Sequence, residues 1–273
     1  MYPLLFDAVP FYFVMWACAL VTAVAAGAYL GARAGFSAGR SAVAMALLAL
    51  SVLAGSKLLY LAEAYWFPGD DYVPQNVRTS FHGFRIPGGI LLMAATMPLV
   101  CGALKLPWRR FGDMVMPLVA LGLVFIRLGC FLNGCCFGKV PTLPWAVRFP
   151  AGSWVAWYHK AHGWIPTDAP ASIPVHPLQL YFLVAAVATL AVLAWLQRQP
   201  LRPGLSQILF YTLFFGSTAL IEPLRQNHLT LNTWVVSITA VVAGGVLFAE
   251  TWAHPAVAEN PAAHGRRVKP LAT

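Results

Sequence analysis

The sequence predicts an all-α integral membrane protein with seven spanning helices, an external N-terminus and a cytoplasmic C-terminus. Two observations carry the class. Of 273 residues, 59% are hydrophobic and 10% charged, with a mean hydropathy of +0.69. A soluble domain carries about 25% charged residues, so this chain has too little polar surface to coat a water-soluble particle of its size. Apolar residues also gather into seven stretches of about the 20 residues that cross a bilayer. A cytosolic enzyme, a secreted disulfide mini-domain and a disordered tail protein are thereby excluded.

The first stretch, about 11–32, follows a segment, Met1–Pro10, that lacks a basic residue and contains Asp7. It is too long and uninterrupted for a signal peptide and reads as a retained span. The others run about 42–62, 87–104, 114–134, 177–196, 204–222 and 232–253. Short connectors at 33–40, 105–113 and 198–203 hold the punctuation. Two longer ones, 67–86 and 138–176, are expected outside the membrane, within a membrane domain of residues 1–254. The tail, 255–273, is rich in Pro, Ala and Arg and is expected to be disordered.

Orientation follows from the basic residues, which collect on the cytoplasmic side. With the N-terminus outside, the inner segments hold Arg33, Arg40, Lys105, Arg109, Arg110, Arg198, Arg202, Arg266, Arg267 and Lys269. The outer ones hold half as many: Arg78, Arg85, Lys139, Arg148 and Lys160. The same bias accounts for the net charge of +9. No run of Lys and Arg exceeds two, so nucleic acid is not an expected partner.

A charge at bilayer depth costs about 2.5 kcal/mol or more, which makes intramembrane ions functional candidates. Lys57, Arg127, Glu222 and Arg225 qualify, and Glu63 lies close enough to a span end to snorkel. Arg127 is either a structural partner of Glu222 or an anchor for a phospholipid phosphate, which its fork of donors suits. Glu222 and Arg225 are three residues apart and can share a face, with Pro223 between them. Glu222 is either a base or an ion-pair partner. Gly88-Gly89 opens the third span, either admitting a headgroup to a helix N-terminus or packing helices.

Cys130, Cys135 and Cys136 leave three readings: a disulfide, a thiolate activated by Arg127, or small packing residues. Their Cys-x4-Cys-Cys spacing matches none of the usual zinc patterns, so no metal is expected. His82 and His176 both have side chains suited to proton transfer near neutral pH.

In order and spacing these segments resemble the bacterial prolipoprotein diacylglyceryl transferases. The matching elements are Ile86-Pro87-Gly88-Gly89-Ile90, the stretch from Arg127 to Lys139, Pro144-Trp145 with Arg148-Phe149-Pro150, His176-Pro177-Leu178-Gln179-Leu180-Tyr181, and Gly216 to Gln226. The resemblance runs from about Tyr12 to Gln226. It implies an enzyme of the bacterial inner membrane that takes a diacylglyceryl group from phosphatidylglycerol, or a similar anionic phospholipid, and releases glycerol phosphate. The acceptor it implies is the cysteine of a lipoprotein precursor, and no cofactor is expected. Arg127 matches the arginine that contacts the headgroup. Asn133, Gly134, Gly138, Tyr12, Glu222 and Arg225 match their counterparts, and Gly88 and Gly89 belong to the same substrate-binding set.

The chain also departs from the family pattern. Pro87 stands at an essential histidine, Cys130 at an asparagine, Cys135 at a glutamate, Thr218 at an arginine and Lys57 at another arginine. The chain therefore reads as a divergent paralogue. Cys135, Cys136, Glu222, His82 and His176 are the candidate catalytic groups. Three functions stand: a phosphatidylglycerol-dependent transferase, whose acceptor is a lipoprotein cysteine or another group, a non-catalytic phospholipid-binding or assembly protein that keeps the fold, and a transporter or thiol redox protein that uses the cysteine cluster.

Overall fold

The computed structural model describes residues 4–5, 9–66, 83–200, 202–226 and 230–253. His82 and the tail from 254 lie outside the described residues. A two-residue antiparallel pair, β1 (Leu4–Leu5) with β2 (Val9–Pro10), places Leu4 opposite Pro10 and Leu5 opposite Val9. The remaining regular structure is helical. It comprises α1 (Phe11–Arg33), α2 (Ala38–Trp66), α3 (Ile86–Ala103), α4 (Trp108–Asn133), α5 (Trp154–Ala161), α6 (Leu178–Leu196), α7 (Leu205–Ile221) and α8 (Thr230–Ala253). Six of these, α1 to α4, α6 and α7, are long and apolar enough to cross a membrane, α7 with the turn that follows it to Leu224. The seventh expected span falls on α8, whose stretch Thr233–Val246 is apolar. The chain is a multi-pass membrane protein.

Two helices, α2 and α4, clearly overrun their hydropathy windows. α2 begins at Ala38 and α4 at Trp108, taking Arg40, Arg109 and Arg110 into their first turns. Hydropathy sees only the residues at hydrocarbon depth, whereas a helix continues as long as its backbone bonds are met.

α4 is the central post, packing on α1, α6, α7 and α3. Val115, Met116, Leu123 and Ile126 on it join Leu48, Ile90, Met93, Phe210 and Phe215 in one buried cluster. Large apolar side chains such as Leu50, Leu99, Val184 and Leu220 point outward, as a lipid-facing surface requires. Asp113 of α4 receives the free N–H groups at the start of α7, from Gly204 at 2.6 Å and Gln207 at 3.2 Å. A carboxylate at a helix N-terminus satisfies orphan donors and complements the dipole.

α2 and α3 meet backbone to backbone. A Cβ on Gly55 would collide with the Gly88 carbonyl oxygen, and one on Gly88 would lie 2.5 Å from that of Gly55. Gly89 likewise faces the Val52 carbonyl. Gly88 and Gly89 are thus taken up in helix packing of the small-residue kind, the second of the two readings the sequence left. Pro87 occupies the first turn of α3, where a missing N–H costs nothing. Arg85, just before it, pairs with the buried Glu63 of α2 at 2.6 Å. Glu63 is therefore paired rather than snorkelling.

The connector 138–176, expected as a loop, folds into a small lobe. It contains α5, capped by Ser153 Oγ accepting from the Ala156 N–H at 3.2 Å. Bridges join Val147 to Val175 and Pro150 to Ala171. Phe137, Phe149, Val155, Tyr158 and Val175 form its own core.

Candidate active site

α4 ends where the lobe begins. Asn133 is its last residue, and Gly134 caps it in the left-handed region at φ 70°, which favours glycine. A Cβ there would also sit 2.9 Å from that of Ser153, so Gly134 lets α5 dock against the cap. The chain then turns sharply through Cys135 and Cys136, the latter also left-handed at φ 58°.

Phe137 to Lys139 is clasped on both sides. On one, Gly138 N–H donates to the His176 carbonyl at 2.9 Å and His176 N–H to that of Lys139 at 3.0 Å. On the other, Lys139 N–H donates to the Leu224 carbonyl at 2.9 Å, and Gly138 bridges to Arg225. This clasp joins the end of α4, the start of α6 and the 3-10 turn Glu222–Leu224 that ends α7. Gly138 sits at its centre. A Cβ on it would meet the His176 Cβ at 2.5 Å and the Leu224 carbonyl oxygen at 2.7 Å. Gln179 secures the turn from α6, donating to the Cys135 carbonyl.

Two guanidiniums approach this junction. Arg127, 6% exposed, stacks over the Phe182 ring at 4.1 Å. Arg225 lies 6.0 Å from the centre of the same ring. Glu222, 1% exposed, takes Arg225 as a fork, Nε to Oε1 at 2.7 Å and Nη2 to Oε2 at 3.1 Å. Burial lowers the Arg225 pKa, but the Glu222 carboxylate outweighs it and holds the guanidinium charged well above its ordinary range. The ion pair that the sequence offered between Glu222 and Arg127 is thus supplied, for Glu222, by Arg225.

The sulfur atoms of Cys130, Cys135 and Cys136 lie within 4.8 Å of one another. All five cysteines are free thiols. Cys136 is held well below the usual thiol range, first by the thiols of Cys130 and Cys135 donating to it and then by the charges of Arg225 and Arg127. Cys135 is pushed up, because it serves as a donor to its two neighbours. Tyr12, at the start of α1, lies within electrostatic reach of all three thiols. Its backbone packs over Gly129, where an added Cβ would lie 3.3 Å from the Tyr12 Cα.

Two spaces adjoin the site. A cavity of about 20 Å³ beside Arg127 is lined by Phe182, Thr189, Ser217 and Thr218. An apolar groove of about 260 Å³ runs between α1, α2, α3 and α4, past Tyr12, Trp16, Leu48, Ile90, Met93 and Ile126. The imidazole of His176 is engaged by Tyr181, Nδ1 lying 3.1 Å from its hydroxyl, and Trp145 Nε1 donates to that hydroxyl at 2.8 Å. Burial lowers the His176 pKa, favouring the neutral ring.

The fold therefore brings together Arg127, Arg225, Glu222, Cys135, Cys136, Asn133, Gly134, Gly138 and Tyr12, with His176 on the clasp. It sets Gly88 and Gly89 on the α2–α3 seam instead. Phe182, which stacks under both arginines, was not singled out from the sequence. Its position six residues after His176 in an apolar helix carries no polar signal to mark it.

Comparison with known proteins gives the family. The chain matches the prolipoprotein diacylglyceryl transferase family over residues 3–250. Relatives named phosphatidylglycerol–prolipoprotein diacylglyceryl transferase include one from Burkholderia cenocepacia, 31% identical over 77% of this chain and 75% of the relative. One from Clostridium tetani is 27% identical over 71% of this chain and 74% of the relative. One from Idiomarina loihiensis is 30% identical over 65% of this chain, a stretch that spans 60% of that relative's length. The family match takes in α1 to α7, the thiol turn and both arginines, so the chain belongs to the prolipoprotein diacylglyceryl transferase family.

Proposed function

We propose that this protein transfers the diacylglyceryl group of phosphatidylglycerol to the cysteine thiol of a lipoprotein precursor, releasing glycerol phosphate at the outer face of the bacterial inner membrane. The observation that carries the reading is the convergence of Arg127 and Arg225 on one aromatic ring beside an apolar groove. A phospholipid needs both features: cationic forks for its phosphate and an apolar channel for its acyl chains.

The chemistry is a substitution at the glyceryl carbon that bears the phosphate. An acceptor sulfur attacks that carbon, its bond to the phosphate oxygen breaks, and the electron pair leaves with glycerol phosphate. Charge develops on the phosphate oxygens, where Arg127 and Arg225 stabilise it. Glu222 fixes Arg225 in place, and its pairing leaves it a positioning residue more than a base. Asn133 and Gly134 set the end of α4, and Gly138 holds the clasp that brings Arg225 to Arg127. Cys136, favoured as a thiolate, is the site's strongest nucleophile or proton acceptor. The candidate His82 lies outside the described residues, and its role as a proton carrier stays a proposal alongside that of His176.

Phospholipid binding without chemistry is the second reading, favoured by Pro87 at the motif histidine. The two separate in one experiment. Purified protein in lipid bilayers is given labelled phosphatidylglycerol and a cysteine-containing lipoprotein peptide, with Arg127→Ala as control. Glycerol phosphate release that disappears in the variant supports transfer, whereas unchanged phospholipid with retained binding supports the second reading.

A further inference from the structure

The transferase reading asks for a thiol acceptor, and a thiol is a poor nucleophile until it loses its proton. The carboxylate at this site, Glu222, is engaged by Arg225, and the His176 ring is bonded to Tyr181. Pro87 lies in the first turn of α3 and has no proton to exchange. The site does hold three thiols at one turn, contributed by the last turn of α4 and the two residues after its cap.

Three sulfurs within 4.8 Å of one another are close to what a tetrahedral cation needs. A metal–sulfur distance of about 2.3 Å places neighbouring sulfurs about 3.8 Å apart. Small side-chain rotations of Cys130, Cys135 and Cys136 close that difference. Cys136 follows directly on Cys135 in a left-handed turn at φ 58°. Cys130 is buried while Cys135 and Cys136 are half-buried, so the latter two keep some exposure. Arg127 and Arg225 place positive charge near Cys136. Three protein ligands and one open position are the pattern of catalytic rather than structural zinc sites.

We infer that Cys130, Cys135 and Cys136 form a three-thiolate site for a soft divalent cation of the zinc class, whose open fourth position takes the sulfur of the acceptor cysteine. This rests on the transfer reading above and deepens it by naming what deprotonates the acceptor thiol. A coordinating thiol is deprotonated outright. The acceptor S–H proton passes to solvent when its sulfur joins the cation. That sulfur then forms the bond to the glyceryl carbon as the carbon–oxygen bond to phosphate breaks, and glycerol phosphate departs with the electron pair. No atom changes oxidation state. The resulting thioether is a weaker ligand than the thiolate and is released.

Cobalt(II) tests the site without reference to turnover, because thiolate ligation gives it an absorption band in a tetrahedral field. The full chain in lipid nanodiscs, reduced and chelator-treated, is titrated with cobalt(II) and zinc. A charge-transfer band saturating at a single cation per chain is expected. Cys135→Ser and Cys136→Ser are expected to weaken it by about tenfold or more, while Cys18→Ala leaves it unchanged. Because Cys130→Ser is a buried change, maleimide labelling provides a second reading: zinc protects Cys135 and Cys136 but not Cys18. No band, a band that survives both serine variants, or labelling indifferent to zinc overturns the site. A cysteine peptide should shift the cobalt spectrum and its serine counterpart should not. Equal responses overturn the role of the fourth position.

The two readings fail differently. Full glycerol phosphate release by chelated protein overturns the cation and leaves the transferase. A loaded site that binds the peptide yet releases nothing from phosphatidylglycerol overturns the transferase and leaves the cation site standing.

Discussion

Replacing Gly138 with alanine tests whether the clasp, rather than any one side chain, brings the two arginines together. The added Cβ would lie 2.5 Å from the His176 Cβ, 2.7 Å from the Leu224 carbonyl oxygen and 3.0 Å from the Leu178 Cγ. Two of these neighbours are fixed by the backbone, so no flexible side-chain end can swing aside. Carbon atoms settle about 3.5 Å apart, so the strand must move about 1 Å from His176. That shift pulls on the bonds from Gly138 to His176 and from Lys139 to Leu224, both 2.9 Å. Losing part of two such bonds and overpacking the junction together cost about 3 kcal/mol. The rate should suffer as well, because about 1 Å of misplacement costs on the order of a hundredfold. Gly216→Ala is the matched control: in α7, nothing lies within 4 Å of where its methyl group would stand, and it gains helix propensity. Thermal unfolding in nanodiscs and glycerol phosphate release are measured for both. If Gly138→Ala behaves like Gly216→Ala in stability and turnover, the clasp does not position the site and the reasoning fails.

Three other outcomes are expected. Glu222→Gln leaves Arg225 without its carboxylate in a buried site, and breaking such a pair costs about 3–5 kcal/mol. A lowered unfolding temperature with lost phosphatidylglycerol turnover is expected, and wild-type behaviour in both would show the pair to be dispensable. His159 is fully buried, its ring nitrogens have no hydrogen-bond partner among the described residues, and it stacks on Trp164 at 5.1 Å. Burial depresses its pKa to about 4, whereas the unfolded chain protonates near 6.5. The unfolded state therefore binds the extra proton across that window, so stability is complete above about pH 6.5 and falls as pH drops toward 4. Trp164 fluorescence during unfolding should follow this course, and His159→Phe should flatten it; an identical slope in the variant would assign the titration elsewhere. Finally, in metal-free protein near pH 7, iodoacetamide should modify Cys136 faster than Cys135, since Arg225 and Arg127 favour the Cys136 thiolate. Peptide mapping that finds Cys135 ahead reverses the assignment.

Much of the fold was legible because the signals are local. Hydropathy along about 20 residues marks α1, α2, α3, α4, α6 and α7 within a few positions, and the intramembrane charges announce Arg127, Glu222 and Arg225 one by one. The left-handed cap at Gly134 follows from a glycine just past an apolar run. The lobe was less legible. Ser153 is a sound N-cap, but the eight residues of α5 are too few for periodicity to stand out among the prolines around them.

What the sequence by itself determined is therefore the class, the spans, the family and the identity of the charged and thiol-bearing residues. Only the tertiary structure decided who meets whom. It gave Glu222 to Arg225 in a fork, set Gly88 and Gly89 to packing on Gly55 and Val52, and tied Gly138 between His176 and Leu224. It also gathered three thiols whose spacing resembles no metal motif on paper. The physical reason is one of range. A helix forms from bonds four residues apart and leaves its mark in neighbouring letters. The clasp joins residues about 40 and 90 positions apart in the chain, and such contacts exist only once α4, α6 and α7 have packed and carried their ends to one place.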